Sequence, residues 1–314
     1  MTVVAPLSFI LTQQTRLAMY YCKKMLLLPL CYLLLSACSG TLREQNRLLE
    51  QADSAMIMGD YRSAVEYYKN IDRLDLTDTA SRQQAIRLRR QAKWMFNMQR
   101  LDSIKNVMEL LSKQITELAP GFQVLQEKEH SSRVRLSRPS LAPSKNKSAP
   151  HLRLATDSLG IVELTSVYIG KQAIEHTALR LRNKETGEKF STPHMRYDEA
   201  LNYRYGSSGM KYEIVCYPST IIDSLARFLR EMYDRKQSLE VLFLDSQGQE
   251  VARGVNYDNS HLADFIDTFT LAEAYAKRQR LQTIVAMINS ENRYLLSTGH
   301  VDDKRTYLSQ PIRK

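Results

Sequence analysis

The chain has 314 residues with 44 basic and 34 acidic side chains, which gives a formal net charge of +10. Residues 1–37 hold three of the basic residues and no acidic one, so a chain without them carries +7. This mild excess is not the concentrated patch of a nucleic-acid-binding protein and excludes nucleic acid as an expected partner. An anionic lipid or polysaccharide surface is a better match for this mild positive charge.

The N-terminal sequence has the features of an export signal. Residues 25–37 form a run of 13 uncharged residues directly after two lysines. A membrane-spanning helix needs about 20 apolar residues, whereas the apolar region of a signal peptide has about 7–15. We therefore expect residues 1–37 to be a signal peptide. The signal is complete from Met19, which favours Met19 over Met1 or Met25 as the start of translation.

The apolar run ends in Leu35-Ser36-Ala37-Cys38, which resembles the lipobox of bacterial lipoproteins. In that family the chain is cut before the cysteine, whose thiol carries a diacylglycerol, and the new amino group is usually acylated too. The resemblance implies lipidation of Cys38 and anchoring of the processed chain to a membrane. An ordinary secretory signal is the alternative.

Residues 38–121 are expected to be helical because apolar residues recur every three or four positions. The segment 48–71 resembles one tetratricopeptide (TPR) unit, with a turn at Gly59-Asp60. The following residues repeat the pattern poorly, so we expect a TPR-like hairpin and not an array. A peptide-binding groove on the hairpin is an alternative. The residues that match the TPR pattern are Leu48, Ala52, Ala55, Gly59, Tyr61, Ala64 and Tyr68.

A further helix is expected from Thr79, and apolar residues farther along form a seam with spacings of three and four. The seam is short for an independent coiled coil and predicts packing against another helix of this chain. Ala119-Pro120-Gly121 is expected to end it. The seam residues are Leu101, Ile104, Met108, Leu111, Ile115 and Leu118.

Residues 122–150 are expected to form an extended or disordered basic linker. The part from 131 to 150 holds six serines, three prolines, five basic residues and no acidic residue. Such a composition buries too little apolar surface to offset the entropy lost on ordering. Contact of its charges with anionic lipid or polysaccharide is an alternative to a solvated linker.

Residues 151–257 are expected to form a small, mostly antiparallel β-rich head with one amphipathic helix, because the apolar period changes to two. A long helix over 258–296 is expected to pack on the seam helix as part of a stalk, followed by a mobile tail, 297–314. The predicted fold class is α+β. The turns of three β-hairpins are expected at residues 185–187, 207–209 and 247–248.

The whole pattern resembles uncharacterised envelope lipoproteins of the Bacteroidales. The resemblance rests on the lipobox, the helical N-terminal part and the strand region "SVYIGKQAIEHTALRL" at 166–181. It implies a location in the bacterial cell envelope, and no activity. In that group surface export is thought to follow an acidic stretch after the cysteine, and here only Glu44 is present. A lipid anchor in the outer membrane, facing the periplasm, is therefore favoured.

The sequence lacks the common catalytic signatures, such as His-Glu-x-x-His, Gly-x-Ser-x-Gly and the phosphate-binding loop. The alternative to a non-enzymatic protein is an envelope hydrolase that uses Ser207 or Cys216 with His176 or His194. The simpler expectations are an exposed hairpin tip for Ser207, a buried apolar position for Cys216 and a structural hydrogen bond for His176.

We expect no metal or other cofactor. Asp72, Asp75 and Asp78 lack the glycine and distal glutamate of a calcium loop. The expected function is a lipid-anchored interaction or scaffold module that binds an envelope protein or glycan; a purely structural stalk is a further alternative. A tyrosine-rich surface of the head is one candidate contact, formed by Tyr197, Tyr203, Tyr205, Tyr212 and Tyr217.

Overall fold

A computed structural model of the chain describes residues 40–74, 79–125, 134–141 and 149–298. The chain divides into two compact units. Unit 1 comprises the described residues within 1–102 and 287–314, and unit 2 comprises those within 103–286. The predicted signal peptide (1–37), Cys38, parts of the predicted linker (126–133 and 142–148) and most of the predicted tail (299–314) lie outside the described residues.

Unit 1 contains the predicted helical hairpin. Its helices are α1, over residues 40–57, and α2, Tyr61–Asp72. Gly59 has a φ of +75°, a conformation that glycine adopts without strain, and Asp60 caps α2 by accepting a hydrogen bond from the Ser63 N–H at 3.2 Å. The turn at Gly59-Asp60 is therefore confirmed.

Small residues let the hairpin helices pack closely. Ala52 and Ala64 are fully buried, and the Tyr68 hydroxyl donates to Asp53 at 2.8 Å, which joins α1 to α2. The third helix, α3, runs from Thr79 to Leu118 and covers this pair with Ala85 and Ala92. The other buried apolar residues of this core are Leu48, Ala55, Ile71.

The predicted packing of the C-terminal helix on α3 is confirmed. This last helix, α5, spans Asn259–Ser297. In unit 1, Asn97 of α3 donates to Glu291 and to Asn292 of α5, each at 2.9 Å. In unit 2 the contact is apolar and involves Leu111, Ile115, Leu271, Ala274 and Tyr275. Within the described residues no helix is long and apolar enough to span a bilayer.

Unit 2 contains two antiparallel sheets, which together with the helices confirm the α+β class. The six-stranded sheet, in the order β1-β2-β3-β4-β8-β7, consists of Gln123–Leu125 (β1), Arg135–Ser137 (β2), His151–Asp157 (β3), Val162–Gly170 (β4), Met210–Tyr217 (β8) and Tyr203–Ser207 (β7). The four-stranded sheet, in the order β10-β9-β5-β6, consists of Glu250–Tyr257 (β10), Leu239–Leu244 (β9), Ala178–Asn183 (β5) and Lys189–Ser191 (β6). All three predicted hairpins are present.

One core joins both sheets of unit 2 to α5 and to the amphipathic helix α4, Ile222–Asp234. The sequence supplies it by placing apolar residues at every second strand position and at every third or fourth helix position. Fully buried members include Leu152, Leu154, Leu164, Leu179, Leu181, Leu225 and Phe243.

The predicted linker, 122–150, is wrong where the structure describes regular elements. Strands β1 and β2 extend the six-stranded sheet, and Leu141 is fully buried in the core. Arg138 pairs with Asp264 and Asp267 of α5, so its charge is neutralised. Composition suggested low order, but these contacts bury Leu141 and pair Arg138, which offsets the entropy lost on ordering.

Candidate functional site

The exposed edge of the six-stranded sheet carries a row of aromatic side chains. Strand β7 is the edge strand, and all five of its residues are exposed. It pairs with β8 on one side, and no strand in the described part of the chain pairs with its other side. Within the described ranges, the outer side of β7 is therefore a sheet edge, the kind of surface to which another strand can add.

Tyr203 and Tyr205 of β7 stack with Tyr212 of the neighbouring strand β8, and these three residues are here called the tyrosine ladder. The rings of Tyr203 and Tyr205 have centroids 6.1 Å apart, and those of Tyr205 and Tyr212 are 4.7 Å apart and nearly parallel, at 3°. Tyr203 and Tyr205 are 37% and 46% exposed, so a partner can reach their rings. Burial, and then the neighbouring phenols of Tyr203 and Tyr212, raise the pKa of Tyr205. Its hydroxyl is therefore a neutral hydrogen-bonding group at physiological pH.

An apolar cluster adjoins the ladder on the same face of the sheet. Val167 and Ile169 of β4 and Ile214 of β8 form it, and Met210 and Tyr212 pack against them. The register places Ile169 opposite Tyr212 and Tyr205 opposite Tyr212, so the side chains form one continuous row. Two of the five predicted surface tyrosines, Tyr197 and Tyr217, lie elsewhere.

Tyr197 belongs to a buried network centred on Glu213 of β8. One carboxylate oxygen of Glu213 accepts from the N–H groups of Ile174 and Glu175, at 2.7 and 2.9 Å. The other accepts from the His176 N–H at 3.0 Å, from His176 Nδ1 at 2.9 Å and from the Tyr197 hydroxyl at 3.1 Å. The network thus fixes the loop that connects β4 to β5.

These hydrogen bonds decide the charge of Glu213. Burial would raise the pKa of this carboxyl group, but hydrogen bonds from His176 and from the backbone of Glu175, His176 and Ile174 lower the pKa to about 2. Glu213 is therefore a buried, fully hydrogen-bonded carboxylate at neutral pH.

The network also supports the strand that carries the ladder. The guanidinium of Arg204, on β7, lies 4.1 Å from the ring centroid of Tyr197 and donates to Glu175 at 2.8 Å. Tyr197 and Glu175 are themselves held by Glu213. Glu213 therefore positions the edge strand from inside the unit.

Ser166, His176 and Glu213 have the connectivity of a nucleophile, a base and an acid. The Ser166 hydroxyl lies 2.9 Å from His176 Nε2, and His176 Nδ1 lies 2.9 Å from Glu213. All three residues are 0% exposed, and the Ser166 hydroxyl is also 2.8 Å from the Tyr217 hydroxyl. Because all three side chains are fully buried and hydrogen-bonded to each other, we interpret the group as structural.

The residues of the hydrolase alternative are not brought together. Cys216 lies three positions after Glu213 on β8, so its side chain is on the opposite face of the sheet from His176. The Cys216 thiol is half-buried and lies 3.5 Å from the Thr165 hydroxyl. Burial raises the pKa of this thiol. Ser207 is exposed at the tip of the β7–β8 hairpin, as predicted, and shares the face of Cys216. His194 Nδ1 is 2.9 Å from the Thr177 hydroxyl instead.

No group of metal-ligating side chains occurs among the described residues. Asp72 pairs with Arg89 at 2.8 Å and with Arg82 at 3.5 Å, whereas Asp75 and Asp78 lie outside those residues. Asp72 thus joins α2 to α3.

The helical hairpin of unit 1 has a shallow, open groove of about 340 Å³. Two acidic side chains and no basic one line it, although the Asp60 carboxylate already caps α2. The groove is a second contact candidate, but it offers little enclosed apolar surface. Its lining residues are Glu50, Gln51, Ser54, Ala55, Met58, Asp60, Ser63 and Tyr67.

No family model matches the sequence, and no curated protein or solved structure matches it closely enough to assign a fold family or a function.

Proposed function

We propose that the chain is a non-enzymatic, lipid-anchored cell-envelope protein that binds a partner through the tyrosine ladder. The observation that carries this proposal is the stack formed by Tyr203 and Tyr205 of the exposed edge strand with Tyr212 of the neighbouring strand β8. Aromatic side chains supply large contact areas at low entropic cost, and tyrosine is enriched among the residues that dominate binding energy.

A protein partner fits this surface better than an envelope glycan. The rings of Tyr205 and Tyr212 cover each other at 4.7 Å, which leaves little free ring face for a sugar. The open edge of β7 instead offers backbone N–H and C=O groups to an extended chain. Binding of a glycan through the same tyrosines is the alternative.

Membrane attachment through Cys38 is part of the proposal, and we favour the periplasmic side of the outer membrane. We expect Cys38→Ala to move the chain from the membrane fraction to the soluble fraction, because each buried CH₂ of an acyl chain contributes about 0.8 kcal/mol of membrane affinity. Fractionation of cells followed by intact-mass analysis checks this. Cys216→Ala is the control and should stay membrane-bound. A Cys38→Ala chain that stays in the membrane contradicts the anchor.

Chemical crosslinking of the full chain in its native membrane tests the binding surface. We expect the parent chain to give one dominant crosslinked species, and the double variant Tyr203→Ser/Tyr205→Ser to lose it. The control is Tyr294→Ser, which removes a tyrosine of unit 1 that is 63% exposed. If the ladder variant and the parent give the same species, the ladder is not the binding surface.

A further inference from the structure

We propose that the partner at the tyrosine ladder is a second copy of this chain, with β7 of one copy pairing antiparallel to β7 of the other. This inference rests on the proposed function, because it names the partner of the same surface.

The turn of the β7–β8 hairpin determines which backbone groups of β7 face outward. Ser208 and Gly209 have φ values of +51° and +76°, as in a two-residue type I′ turn. The flanking residues of such a turn, Ser207 and Met210, form a hydrogen-bonded pair, and such pairs alternate along an antiparallel ladder. The N–H and C=O groups of Arg204 and Gly206 therefore point away from β8.

The sequence of β7 is complementary to itself about Tyr205. In an antiparallel pair centred there, Arg204 of one copy lies opposite Gly206 of the other, so the outward groups meet. Gly206 has no side chain to obstruct the arginine opposite it. Tyr205 lies opposite Tyr205 in a pair without hydrogen bonds, where side chains are closest. The two ladders then form one continuous stack.

The charges along this edge are compatible with pairing. Each Arg204 is already neutralised by Glu175, whose side chain is 73% exposed. The register places Lys211, the neighbour of Gly206 on β8, next to the Arg204–Glu175 pair of the other copy. The exposed carboxylate of Glu175 is thus available to both cations.

The contact is small, and this determines where it forms. A pair of five-residue strands buries less surface than the roughly 1,200 Å² that is typical of a stable complex. Two chains anchored in one membrane have a high effective concentration, which compensates for weak intrinsic pairing. We therefore place the pairing at the membrane and expect monomers in dilute solution.

Disulfide trapping of the full chain in membranes tests the register. We expect co-expressed Arg204→Cys and Gly206→Cys chains, which keep all three tyrosines of the ladder, to form a disulfide-linked dimer on mild oxidation. The opposing Cα atoms are about 5.5 Å apart in such a hydrogen-bonded pair. Each variant expressed alone is the matched control, because position 204 of one copy lies opposite position 206 of the other and not opposite itself. The parent chain gives the background yield of disulfide-linked dimer that forms through the native cysteines.

Two substitutions at Arg204 separate its backbone from its side chain. Arg204→Pro removes an outward N–H and leaves the hydrogen bonds to β8 in place. It should lower the yield of chemically crosslinked dimer about tenfold or more, because one hydrogen bond is lost in each copy. Arg204→Ala keeps the N–H and should retain most of the dimer.

The outcomes distinguish this inference from the proposed function. A disulfide-linked dimer that forms between positions 204 and 206 and not in either variant alone, together with a chemically crosslinked dimer weakened by Arg204→Pro, supports both. No disulfide between positions 204 and 206, together with a ladder-dependent crosslink to a different protein or a glycan, overturns the inference and leaves the proposed function. No dimer and no ladder-dependent crosslink overturn both.

Discussion

Glu213→Ala is expected to lower the free energy of unfolding of unit 2 by about 3–5 kcal/mol. The substitution leaves the N–H groups of Ile174, Glu175 and His176 without their buried acceptor. It also removes one of two partners of the His176 ring, which keeps the Ser166 hydroxyl, and one of two partners of the Tyr197 hydroxyl, which keeps the His176 carbonyl. Unsatisfied buried donors each cost about 1–3 kcal/mol, so the loss is large even if the loop partly rearranges.

Hydrogen exchange of peptides from β4 and β8 measures this effect in unit 2. The chain's single tryptophan, Trp94, lies in unit 1, so its fluorescence reports on the unfolding of unit 1 and not of unit 2. Glu175→Ala is the control, because its side chain is 73% exposed and its ion pair with Arg204 contributes less than about 1 kcal/mol. Equal protection in the Glu213→Ala variant and the parent contradicts a stabilising role for the network.

The same network predicts loss of stability in acid. The pKa of Glu213 is lowered from its ordinary value of 4.5 to about 2 in the folded chain, so its contribution is fully present above pH 4.5. As the pH falls below 4.5 the unfolded chain binds a proton first, and the contribution is lost progressively down to about pH 2. Urea unfolding at several pH values should show this loss in the parent, and a smaller one in Glu213→Gln.

Leu141→Ala is expected to destabilise unit 2 by about 2–5 kcal/mol, because it removes a fully buried leucine from the core. This substitution tests whether the segment that resembles a linker is part of the fold. Val134→Ala is the matched control, since Val134 lies in the same segment and is 59% exposed. Urea unfolding, with unit 2 monitored by hydrogen exchange, measures the stability of both variants. Equal stability of the two variants contradicts docking of the segment.

Local patterns were enough to predict most of the fold. Turn glycines and alternating apolar residues identified the hairpins around Gly187, Gly209 and Gly248, each of which has a positive φ. The seam through Leu111 and Ile115 identified the packing with α5. In each case the evidence lies within one short segment.

The first strands of the six-stranded sheet depend on partners far away in the sequence. Strand β2 has only three residues, and the Ser137 hydroxyl donates to the Leu154 carbonyl at 2.6 Å. Arg138 is placed by Asp264 and Asp267, more than 120 residues later. Composition alone suggested a linker because it contains no information about these partners.

The buried network was unpredictable for the same reason. Glu213 is the only acidic residue in the strand "MKYEIVCY", and an acidic residue among apolar ones indicates a buried carboxylate that needs hydrogen-bond partners. Its backbone and imidazole partners lie in a loop 37 to 39 residues earlier, and its tyrosine partner lies 16 residues earlier. The lone acidic residue therefore did not indicate what the carboxylate binds. The tyrosines were recognised as a group, but only the strand register separates the exposed ladder from Tyr197 and Tyr217.

The most direct test of the tyrosine ladder as a binding surface is photo-crosslinking from position 205 in native membranes. Tyr205 is replaced by a photoreactive benzophenone amino acid, and the same probe at Lys189, on the edge strand of the other sheet, is the control. We predict one dominant adduct from position 205 and none from position 189. Equal labelling at both positions, or no adduct from position 205, contradicts a binding role for the ladder.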